Sequence, residues 1–430
     1  MQKRYLDINV YQAALKRLEY VFSEFDKILI AFSGGKDSGV LLNMAYDYAK
    51  EIGRLADLSM YHIDYEAQYQ MTTDHVQEVF NSFPEIQKFW LCLPVGAQCA
   101  CRMDGDTWIP WAKQDRDIWV REMPNNPYVI NEDNVPFDFY PGQLDYEVQD
   151  NFCYWYSKTH GRTAAMIGIR ADESLDRYRA IKGNNHKNNF KDSNYIYQRD
   201  SSTFLCYPIY DWTVQDIWTY YAKFQKPYNR LYDLYYQAGL KVDQMRVASP
   251  FNDCAMGTLA LYKVIDPDNW GKMTGRVNGV NMAGLYGGTT AMGWKSITKP
   301  AHFTWKEYCN FLLNTLPEPV REHYLEKLNT SIRFWKEKGG ALSAQTIQEL
   351  DQEGVQFRNK GKGKTSEKDL IAFDDYLDDT NATDFKSIPT YKRMCICIIK
   401  NDYNCKYMGF AQNKAEAERR KRAIEKYGNI

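Results

Sequence analysis

The sequence predicts an α/β protein: a doubly wound parallel sheet with a helical C-terminal extension. Three observations carry that expectation. Residues 28–38 read Ile-Leu-Ile-Ala-Phe-Ser-Gly-Gly-Lys-Asp-Ser, an apolar, branched run broken by two glycines. From residue 9 to about residue 220, apolar runs of strand length alternate with helically spaced segments, the pattern of strands joined by crossover helices. Polar and charged residues follow directly on those runs, at the ends where open α/β sheets hold their ligands.

The elements follow in order. Val10, Ala14, Leu18, Val21 and Phe22 recur at helical spacing, so residues 9–23 form a first helix. Ile28 to Phe32 is continuously apolar, as suits a parallel strand covered on both faces. After Ser33–Ser38, the residues Val40, Leu41, Leu42, Met44 and Ala45 resume a helical period. Leu58 to Ile63 reads as the second strand, ending at Asp64, and Phe89 to Leu93 as the third, stopped by Pro94. Thr163 to Ile169 is the fourth and Phe204 to Ile209 the fifth. Thr213 then caps a helix, with Asp216 in capping-box register and Ile217 and Trp218 facing the core. Asp211, just before it, is that segment's candidate for a functional role.

Residues 95–150, with Trp108, Trp111 and Trp119, are too long for a plain connection and read as an insertion. Residues 184–194 are polar without periodicity and read as a mobile loop or lid. Beyond residue 250 the texture changes. Gly271 to Gly293 is glycine-rich, Phe303 to Trp335 is helical, and Gly339-Gly340 marks a break. The expected division is a sheet domain over 1–250, a mainly helical region over 251–353, a basic linker and loop over 354–387, and a small C-terminal segment over 388–430. The run Arg419-Arg420-Lys421-Arg422 either faces solvent or touches phosphates.

A chain of 430 residues is long enough for about two or three domains. With 44% hydrophobic and 25% charged residues the composition is that of a soluble globular protein. A formal net charge of −1 excludes a global field drawing the chain to nucleic acid or anionic membrane, so any such contact is a local patch. No apolar run approaches a membrane span, and the N-terminus lacks the apolar stretch of a signal peptide, so a cytoplasmic location is expected. The ten cysteines are then reduced thiols without a Cys-x-x-Cys. Cys395, Cys397 and Cys405 either form a three-thiolate metal site or belong to a buried element.

A strand, a glycine turn and a helix start make an anion-binding nest. Gly34 and Gly35 let the backbone approach closely, and first-turn N–H groups point at the ligand. Lys36 adds a charge, and Ser33 and Ser38 add hydroxyls. Asp37 in an anion site is explained by a magnesium ion shared with a polyphosphate. This is not a Walker A loop. The chain's one Gly-Lys-Thr, Gly363-Lys364-Thr365, has Arg358 where that motif needs its first glycine. The second signal, Gly168-Ile169-Arg170-Ala171-Asp172-Glu173-Ser174, follows a strand, with Arg177 and Arg179 close behind. Arginines at such an end suit bidentate recognition of phosphate or sulfate, and Glu173 orients an arginine or helps hold magnesium.

The Ser33–Ser38 pattern resembles the PP-loop of the adenine nucleotide alpha-hydrolase superfamily. With Gly168–Ser174 and Ile209-Tyr210-Asp211-Trp212-Thr213 in this order, residues 25–250 resemble the phosphoadenosine phosphosulfate (PAPS) reductase family. Tyr228–Tyr232 and Arg246–Phe251 are similar to its downstream elements. The C-terminal part, with Ile388–Arg393, is similar to a branch described as prophage-linked co-activators, tied to phage defence and paired with a ParB/sulfiredoxin-like protein. The resemblance implies an adenine nucleotide, ATP or PAPS, with magnesium. Ser33, Gly34, Gly35, Lys36, Asp37 and Ser38 would hold its phosphate or sulfate end. Asp64 would lie near the adenosine, Arg170 would reach the anionic tail with Glu173 nearby, and Lys36, Asp37 and Arg170 would be catalytic.

The family's C-terminal Glu-Cys-Gly-x-His is absent, as are the paired cysteines of iron–sulfur relatives, so no such cluster is expected. Three readings stay open: adenylyl transfer of ATP-pyrophosphatase type, sulfonucleotide reduction with Cys254, Cys395 or Cys397 in the thiol role, and a nucleotide-sensing module that binds a protein partner or nucleic acid.

Overall fold

The computed structural model describes residues 5–102, 104–182, 189–247, 249–286, 297–362, 368–400 and 402–410. The chain divides into two compact units. The first comprises residues up to Gln98 together with Trp108–Arg276, and the second Cys99–Thr107 together with the chain from Val277.

The first unit is built on a seven-stranded sheet. Its strands are β1 (Lys27–Ala31), β2 (Leu58–Ile63), β3 (Gln87–Leu91), β4 (Val129–Ile130), β5 (Thr163–Ile167), β6 (Ile196–Gln198) and β7 (Thr203–Cys206). Their spatial order is β4-β3-β2-β1-β5-β7-β6. All pairings are parallel except that of β6 with β7. In β1, Ile28, Leu29 and Ile30 are fully buried, which is why this strand shows no alternation of polar and apolar residues. The chain leaves β1 toward β2 on one side and reaches β5 on the other, so the topological switch point lies between β1 and β5.

The helices of this unit are α1 (Val10–Glu24), α2 (Lys36–Glu51), α3 (Gln70–Ser82), α4 (Asp145–His160), α5 (Leu175–Lys182), α6 (Val214–Phe224), α7 (Leu231–Gln237), α8 (Tyr262–Ile265) and α9 (Pro267–Arg276). Asn9 and Gln12 close a capping box on α1, and Thr213 and Asp216 close the expected one on α6. Asp211 is a structural ion pair, 2.6 Å from Arg17.

The fourth strand stops at Ile167, so Gly168-Ile169-Arg170 is irregular chain rather than strand. The fifth ends at Cys206, before Pro208. The two strands of this sheet that periodicity missed are short: β4 lies inside the expected insertion, and β6 is the antiparallel edge. Of the expected 184–194 loop, residues 184–188 lie outside the described residues, and Phe190–Asp192 is one 3-10 turn.

The second unit contains α10 (Val280–Tyr286), α11 (Trp305–Thr315), α12 (Glu318–Glu337), α13 (Ala344–Gln352) and α14 (Tyr391–Ile399). Three antiparallel strands accompany them: β8 (Gly340–Leu342), β9 (Arg358–Lys362) and β10 (Asp369–Ala372), in the order β8-β10-β9. The 354–387 segment is therefore not a plain linker. Basic β9 is exposed at all five positions and is held by backbone pairing to β10 and by side-chain bonds from Arg358 to Asp374 and from Asn359 to Asp369. Cys395, Cys397 and Cys405 are fully buried among Trp305, Tyr324, Leu328 and Met394. The Arg419–Arg422 run lies outside the described residues. No helix among the described residues is long and apolar enough to cross a membrane.

Candidate functional site

β1 delivers the chain to Ser33 at its carboxyl end. Gly34 turns it with φ +77°, and a Cβ there would come within 3.0 Å of Thr72 Cγ2 and Val76 Cγ2. Gly35 precedes the first turn of α2 without a side-chain cap, leaving the N-terminal N–H groups for other partners. Ser33 and Ser38 hydroxyls are 3.0 Å apart, and Ser38 Oγ also accepts the Ser33 N–H at 3.2 Å.

Residues far along the chain clamp this loop. Tyr232 Oη accepts the Lys36 N–H at 3.0 Å, and Tyr221 Oη donates to Lys36 O at 2.7 Å. Asn229 Nδ2 donates to Gly34 O at 3.1 Å and to Thr72 Oγ1 at 3.0 Å. The hydroxyl oxygens of Tyr232 and of Ser33, which accepts the Gly35 N–H at 3.3 Å, stand where the oxygens of a bound anion would be received.

Lys36 is nearly buried. Its Nζ lies 3.0 Å from Asp37 Oδ2 and donates to Met245 O at 3.3 Å. Asp37 Oδ1 takes the Arg170 Nε–H at 2.5 Å. The three expected catalytic groups therefore form one ion triad. Its geometry depends on Gly168, where a Cβ would fall 3.0 Å from the Asp37 carbonyl and from Ser38 Cα. Arg170 is 3% exposed and sits behind Asp37, outside the set of residues that line the cleft.

The cleft above the loop has a volume of about 330 Å³, within the usual range for small-ligand sites. Its wall on the β5 side carries Glu173, Arg177 and Arg246. Arg246 Nη2 donates to Glu173 O at 2.6 Å, and both guanidinium groups stand about 4 Å from the Glu173 carboxylate. The wall on the β2 side carries Tyr61, Tyr65, Gln68, Asp145 and Gln149. Tyr65 Oη donates to Asp145 Oδ2 at 3.0 Å, and Gln149 Nε2 donates to Tyr61 Oη at 2.5 Å. Burial pushes the Asp145 carboxyl up, against the hydrogen bonds from Tyr65 and the Tyr146 N–H. Two cleft atoms are buried without a hydrogen-bond partner: Gln68 Oε1 and Ser249 Oγ.

Asp64, expected near the ligand, does not line the cleft. It is fully buried and accepts from Trp90 Nε1 at 2.7 Å, from the Glu66 N–H at 2.9 Å, and from Arg121 at 2.5 and 2.6 Å. Burial raises its pKa, but Arg121, His62 and Trp90 together hold it below the ordinary carboxylate value. Its neighbour Glu66 is equally buried and takes the Trp111 and Val120 N–H groups at 2.7 and 2.9 Å and Arg276 at 3.0 Å. These two carboxylates fasten the 108–121 stretch of the insertion to the end of β2.

Both Asp37 oxygens face cations, and among the described residues there is no group of three or more His, Cys, Asp or Glu placed to hold a metal. The same holds for Cys395, Cys397 and Cys405, and burial raises Cys397 and, together with its Cys309 hydrogen bond, Cys395. All ten cysteines are free thiols, and Cys254 alone is exposed. Burial raises Cys254, while the charge of cleft residue Arg246 pulls the other way.

Of the residues singled out from the sequence, Ser33, Gly35, Lys36, Asp37, Ser38 and Glu173 line one cleft. The sequence singled out Tyr228–Tyr232 and Arg246–Phe251 without a role, and Arg177 among the arginines suited to phosphate or sulfate. Asp145, Gln149 and Tyr65 carried no local motif.

Residues 145–238 match the phosphoadenosine phosphosulfate reductase domain, and residues 239–419 a domain of unknown function, DUF3440. The chain is 32% identical over 417 residues to YbdN of Escherichia coli K12, described as uncharacterized, covering 96% of this chain and 93% of that protein. Among solved structures, Candida auris phosphoadenylyl-sulfate reductase covers 54% of this chain and 94% of its own, at 12% identity and a TM-score of 0.29. Candida glabrata FMN adenylyltransferase gives 14% identity and a TM-score of 0.32. It covers 54% of this chain, which in turn spans 64% of it, under two thirds. The Methanococcus maripaludis U34-tRNA thiolase NcsA gives 11% identity and 0.32, covering 72% of this chain and 90% of its own. Likeness at these TM-scores carries no argument about the site.

Proposed function

The chain belongs to the family of Escherichia coli YbdN, and on that premise we propose that it binds ATP on Ser33–Ser38 and transfers the adenylyl group to an acceptor, releasing pyrophosphate. The observation that carries this reading is the nest itself: a glycine turn at the switch point, first-turn N–H groups, and a nearly buried Lys36. In the step proposed, an acceptor atom attacks the α-phosphorus and the bond to the bridging oxygen of the β-phosphate breaks. Pyrophosphate leaves with that electron pair, and the acceptor loses its proton to solvent or to a base. Lys36 and the loop amides stabilise charge on the leaving group, and Arg246 and Arg177 extend that field along the β5 side. Asp37 and Arg170 fix the direction of Lys36 and are positioning residues.

Purified protein incubated separately with ATP and with PAPS plus a dithiol, with products separated by liquid chromatography, tests the reading. AMP or an adenylylated acceptor with pyrophosphate supports it, and loss of this product in Lys36→Ala ties it to the loop. Sulfite and adenosine 3′,5′-bisphosphate from PAPS overturn it in favour of sulfonucleotide reduction. Exposed Cys254, whose thiol feels the charge of cleft residue Arg246, is the observation that favours this second reading. In that case Cys254→Ser stops sulfite release.

A further inference from the structure

The cleft is chemically two-sided. Guanidinium groups line the β5 side, Arg177 and Arg246, whereas the β2 side offers the tyrosines, Gln68, Gln149 and one carboxylate, Asp145. A nucleotide with its phosphates on the loop can direct its remaining negative charge only toward the arginines. Its sugar and base then lie against Tyr61, Ile63, Tyr65 and Gln68, a surface of flat and uncharged groups.

Asp145 stands on that side in the first turn of α4, held by the Tyr65 hydroxyl on Oδ2 and by the Tyr146 N–H on Oδ1 at 2.8 Å. Each carboxylate oxygen keeps a further lone pair. A carboxylate so placed receives sugar hydroxyls and repels a sugar phosphate, the distinction by which dinucleotide sites separate free from phosphorylated ribose. The second observation is independent. Gln68, 4% exposed and lining the same cleft, has its buried Oε1 without a close hydrogen bond and with the His62 ring as its polar neighbour, so a small side-chain turn presents an amide to a nucleobase edge.

We propose that Asp145 reads the ribose and restricts this cleft to adenine nucleotides whose sugar hydroxyls are free, excluding 3′-phosphorylated ones. This rests on the adenine-nucleotide reading above and decides between its two candidate ligands.

The test is calorimetric titration of the full-length protein with ATP, with 3′-deoxy-ATP, and with ATP carrying a 3′-phosphate. ATP is expected to bind at least about tenfold more tightly than either analogue, the scale of one hydrogen bond to a charged group. Asp145→Asn narrows the gap to the 3′-phosphorylated nucleotide several-fold, while Lys36→Ala weakens ATP and its 3′-phosphorylated form alike. Equal or tighter binding of the 3′-phosphorylated nucleotide by the wild type, or an unchanged ratio in Asp145→Asn, overturns the proposal and leaves the loop reading standing. Failure of every nucleotide to bind, or full affinity in Lys36→Ala, overturns the loop reading and this proposal with it. If Asp145→Asn does not fold, the wild-type comparison of the three nucleotides decides alone.

Discussion

Lys36 and Asp64 both follow an apolar strand, yet only Lys36 faces the cleft. Lys36 was legible because its neighbours in sequence, two glycines and two serines, build the site locally. Asp64 was misleading because its partners arrive from afar: Arg121 and Trp111 come from the insertion and close over it. No local pattern encodes that cover. Replacing Arg121 by Met leaves a fully buried carboxylate with only N–H donors. It should cost about 3–5 kcal/mol in urea unfolding, without changing nucleotide affinity once folded. A loss below about 1 kcal/mol would show that the pair is dispensable. Arg246 and Asp145 were missed or left unassigned for the same reason. An arginine or aspartate in a loop carries no mark of which cleft it will reach.

The elements around the loop act through close backbone approach and buried helix faces. Gly168 ends β5 against the start of α2, and alanine there must push the Asp37–Ser38 backbone away. Gly168→Ala is expected to weaken nucleotide binding at least about tenfold, with the fold kept by circular dichroism. An unaffected affinity would mean that this approach does not shape the site.

Helix α3 contributes His75, packed 6.1 Å from the Phe32 ring just ahead of the loop. Burial lowers its pKa from the ordinary imidazole value of about 6.5 to about 4, so the folded protein holds it neutral. Between those values the unfolded chain binds the proton and the folded one does not. Stability is therefore whole above pH 6.5 and falls as the pH drops toward 4, by about 3 kcal/mol at most. Chemical unfolding at pH 7 and pH 4.5 should show this slope, and His75→Phe should flatten it. The alternation of strands and helices was readable from apolar periodicity, but the two-residue β4 and the edge strand β6 were too short to register.

At the scale of the whole molecule, the boundary expected at residue 250 would cut into the first unit, which runs to Arg276. Helix α9 ends in that arginine, 6% exposed by side chain, which neutralises the fully buried Glu66 and also pairs with Asp115 at 2.9 Å. Truncation after residue 250 strands Glu66 without its cation, and truncation after residue 276 does not. The longer fragment should be more stable by about 3–5 kcal/mol in urea unfolding, and equal stability would contradict this role of α9. Gly271 and Gly275 mask α9 in the sequence, although both are open to space and neither is forced by a turn.

The central claim is that an adenine nucleotide sits on the loop at the switch point. Hydrogen exchange with and without ATP tests it directly, peptide by peptide along the full chain. Slower exchange at residues 33–39 and 168–170, abolished in Lys36→Ala, is the predicted result. ATP-dependent protection confined to other segments, or none at saturating ATP, would contradict the account.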